Sequence, residues 1–166
     1  MGENYMCIFI FAIIAFLIGV IYRLKKKLKQ LSETNQRFVM YYDITNIWLK
    51  LKNHNIKLAD YLKHNGYHKV AIYGIGKMGQ RLYEELNNSP VEVSYFIDQK
   101  VDKFDNKDVV KIEDISKMEP VDAVIITPIY SYDVIENAIL ATGIDYPILS
   151  LEEVVYMSEY TGNQGD

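Results

Sequence analysis

The sequence predicts an α/β fold: one five-stranded parallel sheet, ordered 3-2-1-4-5, preceded by an N-terminal transmembrane helix and a helical connector. Three observations predict it. The apolar strand Val70-Ala71-Ile72-Tyr73 runs directly into Gly74-Ile75-Gly76-Lys77-Met78-Gly79, and a helical pattern follows. Strand and helix patterns then alternate to residue 157, which calls for a parallel sheet covered on both faces. Finally, Met6–Tyr22 holds no charged residue, and a basic flank follows it.

The 166 residues, 49% of them apolar, suffice for one globular domain of ordinary size. A net charge of −4 argues against a nucleic-acid binder, and the aromatic residues Tyr41, Tyr42 and Trp48 lack the interleaved arginines of a base-stacking platform. A single cysteine, Cys7, permits no intrachain disulfide. His54, His64 and His68 have no cysteine partners and no metal-ligand spacing, so no metal site is expected.

The organisation expected along the chain is an anchor over 1–22, a connector over 23–66, a nucleotide-binding domain over 67–157 and a flexible tail over 158–166. The uncharged run lies at the short end of spanning length. Glu3 precedes it and five bases between Arg23 and Lys29 follow it, the reverse of a signal peptide. The positive-inside rule places the short N-terminus outside the cell membrane and the C-terminal domain in the cytoplasm, a single-pass layout. The same bases could also touch anionic lipid headgroups.

In the connector, Leu24, Leu28, Leu31, Asn35, Phe38 and Tyr42 alternate by four and three. This is a short heptad seam with an asparagine at a core position. It fits a homodimer through residues 24–42, or equally a helix that packs its stripe on its own domain. Asp43–Lys52 reads as a separate helix with Ile44, Ile47, Trp48 and Leu51 on one face. A break at Asn53-His54-Asn55 and a short helix over 57–63 follow, ended by Gly66.

The glycines of 74–79 have separate physical jobs. Gly74 permits the tight turn, Gly76 leaves the backbone open to a pyrophosphate, and Gly79 lets helix and strand pack closely. The helix start offers free N–H groups and the positive end of a dipole. The second strand, Val91–Ile97, ends in Asp98, nineteen residues after Gly79, where an acid can accept hydrogen bonds from ribose hydroxyls. That acid favours NAD over NADP. Gln80-Arg81 after Gly79 excludes a P-loop. Later elements are a polar loop over 101–108, a strand at 109–112 and a short helix at 113–118. A buried strand over 122–127 ends in Thr127-Pro128, and a helix capped by Ser131 runs to Gly143. The last strand, 147–151, leads into a capping box, Ser150 to Glu153, that opens a short helix to about Met157. The crevice at the carboxyl ends of the first and fourth strands gathers the candidate ligand contacts: Gly74, Ile75, Gly76, Lys77, Met78, Gly79, Asp98, Thr127 and Tyr130.

No catalytic group can be named. The Tyr-x-x-x-Lys pair Tyr22 with Lys26 lies far in sequence from the crevice, and no G-x-S-x-G or Cys/His couple appears. The segments KVAIYGIGKMGQRLYEEL, VSYFID, VDAVIITPI and YPILSLEEVV resemble small bacterial Rossmann-like NAD(P)- or sugar-nucleotide-binding domains. Such domains form the N-terminal part of sugar-nucleotide acetyltransferases and the non-catalytic part of polysaccharide-biosynthesis epimerases/dehydratases. The resemblance implies ligand contacts at Gly74, Gly76, Gly79 and Asp98. The catalytic modules of those families have no counterpart here.

The function expected is thus a membrane-anchored cytoplasmic module that binds NAD or a sugar nucleotide. It would serve surface-polysaccharide biosynthesis as an accessory or sensor, beside proteins of that pathway. The alternatives are a minimal NAD(P)-dependent oxidoreductase or epimerase subunit that needs a partner, and a dimeric structural adaptor with an empty crevice.

Overall fold

The computed structural model describes residues 2–162, with side chains at residue 11 and from residue 13 onward. The chain divides into two compact units, Met1–Tyr41 and Tyr42–Asp166.

A single helix, α1, runs without interruption over Gly2–Asn53. Two expectations are corrected by it. First, no separate helix begins at Asp43. The apolar stripe shifts phase there while the backbone stays helical, because Ile44, Trp48 and Leu51 are the residues buried in the second unit. Second, the transmembrane helix is not supported. Among the described residues no helix is long and apolar enough to cross a membrane. The uncharged run of seventeen residues gives only about 25 Å of helix, against a hydrocarbon core of about 30 Å. Much of that run, residues 6–10 and residue 12, lies outside the described side chains.

In the second unit, α1 ends at the expected break, where Asn55 takes a left-handed conformation (φ 56°). Helix α2 (Leu58–His64) follows and stops before Gly66, whose φ is +83°. The sheet comprises β1 (Lys69–Tyr73), β2 (Glu92–Ile97), β3 (Val109–Val110), β4 (Ala123–Ile126) and β5 (Ile148–Ser150). All pairings are parallel and the order is β3-β2-β1-β4-β5, as the alternation of elements predicts. Helices α3 (Lys77–Leu86), α4 (Tyr132–Leu140) and α5 (Leu151–Gly162) complete the unit, with 3-10 turns at Ile112–Lys117 and Ile129–Ser131.

Every residue of β4 is buried, and successive strand residues face opposite ways, so both faces of the sheet are covered. On one face Ile135 and Ile139 of α4 pack in a cluster with Ala71, Tyr95, Val124 and Ile126. On the other, α3 seats Tyr83 edge-on against Phe96, ring centroids 5.2 Å apart.

Glu85 of α3 braces the helices to one another. Its Oε2 accepts from Trp48 Nε1 (2.7 Å) and pairs with Lys52 Nζ (3.1 Å), and its Oε1 accepts from the Leu58 backbone N–H (2.9 Å). The carboxylate is only 8% exposed, so these donors replace most of its lost hydration.

Smaller differences concern helix ends. Ser131 precedes α4, but its side chain makes no capping bond; the 3-10 turn before it shapes the helix entry instead. Half of the capping box forms, with Glu153 N–H donating to Ser150 Oγ at 2.9 Å. The last helix continues past Met157 to Gly162, and residues 163–166 lie outside the described part.

Candidate functional site

The glycine turn joins β1 to α3 at the carboxyl edge of the sheet. Gly74 has φ +93°, a conformation in which a Cβ is strained. An added Cβ there would also sit 2.9 Å from Pro128 Cγ and 3.0 Å from Thr127 Oγ1. The turn after β1 and the turn after β4 are therefore in van der Waals contact. An ideal Cβ on Gly79 would lie 1.9 Å from the Gly74 carbonyl oxygen. Only a residue without a side chain lets α3 approach β1 this closely. Gly76 differs from both. A Cβ on it would meet nothing within 4 Å, and its backbone (φ −74°, ψ −176°) suits any residue. Nothing in the chain's own atoms therefore requires glycine at position 76.

Gly76 is also the N-cap of α3, and no side chain caps the helix. The first N–H to bond back within the helix is that of Gln80, to the Gly76 carbonyl at 3.0 Å. The N–H groups of the turn before it have no intrahelical partner by geometry. Lys77 stands exposed at the first helical position. Ile75 is buried, and its N–H faces inward to Asp98.

Asp98 lies at the end of β2, where the spacing puts it, but its oxygens are engaged. Oδ2 accepts from the Ile75 N–H at 2.9 Å. Oδ1 accepts from the N–H groups of Lys100 (2.8 Å) and Val101 (3.1 Å). Burial pushes the carboxyl upward, yet these three donors, with Lys111 nearby, hold it below the usual carboxylate value. A carboxylate has about four acceptor positions, and these bonds use three of them.

The linkage has a definite sign. A depressed pKa stabilises the fold above the unfolded value of about 4, and this contribution is lost as pH falls through the folded value. Asp122 behaves alike at the other end of β1. It accepts from the His68 and Lys69 N–H groups, both at 2.7 Å, and these bonds lower its pKa. We expect Asp98→Asn to lower stability at pH 7 by about 1–3 kcal/mol, and by less at pH 3, below the unfolded value. Urea denaturation at the two pH values measures this. An equal loss at both would show that the charge of Asp98 does not hold the turn.

Thr127 is buried, and its hydroxyl is shared between the Tyr73 (3.0 Å) and Gly74 (3.1 Å) carbonyl oxygens. It clamps the two turns together. Tyr130 is half-buried on the 3-10 turn after β4. Met78 lines a mainly apolar cleft of about 230 Å³ with Thr45, Trp48, Leu49, Lys52 and Arg81. The structure therefore brings Gly74, Gly79 and Thr127 together, ties Asp98 to Ile75, and leaves Gly76 open to solvent. Pro128, wedged against Gly74, and Glu85 behind the helix are parts of this arrangement that sequence reasoning missed. A Thr-Pro step after an apolar strand was the only signal for the former. No local signal marked the latter.

Residues 66–147 match the model of a family described as C2185-like, N-terminal. The chain is similar to that family over β1 to β4, which includes the glycine turn, Asp98 and Thr127. No curated protein matches the chain.

Proposed function

We propose that the glycine turn and the start of α3 hold the diphosphate of a nucleotide, NAD or a sugar nucleotide. One observation carries this reading: the open space at Gly76. Protein atoms crowd the Cβ positions of Gly74 and Gly79; Gly76 stands beside an uncapped helix start, where an added Cβ would meet nothing within 4 Å. A diphosphate there would receive backbone N–H donors and the positive end of the helix dipole. In this reading Asp98 at the end of β2 would accept from a ribose hydroxyl, and its charge would disfavour the 2′-phosphate of NADP. The resemblance to sugar-nucleotide domains makes UDP-sugars the second class of ligand. The role proposed is binding, as an accessory or sensor in surface-polysaccharide assembly.

A second reading has its own support. The charge of Asp98 and the hydroxyl of Thr127 are both spent on the chain's own backbone. A turn so well satisfied could serve a structural adaptor whose crevice stays empty.

Thermal denaturation of the full chain with NAD, NADP, UDP-glucose and coenzyme A separates the two. A ligand at 100 times its Kd stabilises by about 2.7 kcal/mol, a rise of roughly 5–10 °C for a unit of this size. NAD or UDP-glucose is expected to give that rise and NADP a smaller one. No shift with any of the four overturns nucleotide binding and leaves the adaptor.

A further inference from the structure

We infer that residues 14–41 form one strand of a parallel, in-register, two-stranded coiled coil whose other strand is a second copy of this chain. The seam of residues 24–42 is part of a longer one. In one unbroken register the a positions are Ile14, Ile21, Leu28 and Asn35, and the d positions are Leu17, Leu24, Leu31 and Phe38. All lie on the continuous helix α1. The six aliphatic members are between 46% and 65% exposed.

Geometry selects another helix as the occupant. A straight α-helix drifts about 20° per heptad from a seven-residue repeat. Four heptads accumulate roughly 80°, so this stripe stays in line only when the helix supercoils around a partner. The residue types select two parallel strands: Ile14 and Ile21 at a with Leu17 and Leu24 at d is the dimer-favouring combination.

Asn35 selects the partner and the register. Its amide both donates and accepts, so the group that best satisfies it across a core is the same amide on a second copy, at the same height. A shift of one heptad would set Asn35 against Leu28 and leave it unsatisfied. The flanks permit this pairing. Across a parallel pair, Lys27 at g faces Ser32 of the other copy, and Lys25 at e faces Val20, so no lysine opposes a lysine.

The full chain tests it. Sedimentation equilibrium at micromolar concentration is expected to give a dimer. Leu28→Glu with Leu31→Glu places charges at two core positions and should weaken self-association by roughly 100-fold or more, while circular dichroism keeps the helical signal. In a Cys7→Ser background, mild oxidation should cross-link Asn35→Cys and not Glu33→Cys, which lies on the outer face. A monomeric wild type overturns the proposal, whether or not it binds phosphatidylcholine vesicles. So does a dimer indifferent to the glutamate pair, or cross-linking as efficient at position 33 as at 35.

Discussion

Gly79→Ala is expected to lower the stability of the second unit by about 3 kcal/mol or more. The new methyl carbon would start 1.9 Å from the Gly74 carbonyl oxygen and 3.2 Å from Thr127 Oγ1. Relief requires α3 to retreat from β1 by more than 1 Å, roughly, to restore an ordinary contact. The retreat would loosen Leu82, Tyr83 and Leu86, all buried by the same helix. Alanine's better helix propensity returns at most about 1 kcal/mol, so the clash decides the sign. The urea midpoint measures it. A midpoint at or above wild type would mean that α3 does not seat on β1 as described.

Gly76→Val has the opposite profile. Stability should change by no more than about 1 kcal/mol, since only a less suitable N-cap opposes it and the methyl groups enter open space. Nucleotide binding should fall by about 100-fold or more. The side chain would occupy the approach to the first N–H groups of α3 and displace two or more charge-assisted hydrogen bonds, each worth about 1.5–3 kcal/mol. Gly76→Ala should fall between valine and wild type. Calorimetric titration with NAD or UDP-glucose reads the loss, and a denaturation midpoint confirms the fold. Undiminished affinity in Gly76→Val would place the ligand elsewhere. The contrast between positions 76 and 79, three residues apart, separates a glycine kept for a ligand from one kept for the chain.

The parallel sheet was legible because each strand is a short apolar run bounded by turn residues and alternates with helices, and its order because the glycine turn after the first strand points to the dinucleotide-binding arrangement of strands. The separate purposes of Gly74 and Gly79 were legible because glycine spacing at a strand-to-helix turn has few physical causes. The stripe at Ile44, Ile47, Trp48 and Leu51 was read correctly as an apolar face and wrongly as a new helix. A change of phase records which side is buried and says nothing of the backbone. The apolar run Met6–Tyr22 and its basic flank suggested a membrane span, but the run is short, and among the described residues no helix is long and apolar enough to cross a membrane. Asp98 was half legible. An aspartate accepting from N–H groups two and three residues on is a local habit of the residue. Its bond to Ile75, twenty-three residues back, depends on how the turn folds over β2. Glu85 was not legible at all, since its three partners lie between 27 and 37 residues away.

Glu85 also bears on what could be inherited as a module. The stretch that matches a family, 66–147, contains this buried carboxylate but none of Trp48, Lys52 and Leu58, which satisfy it. Glu85 is thus the point at which the matched stretch leans on the two helical pieces upstream of it, which both cover the carboxylate and supply its donors.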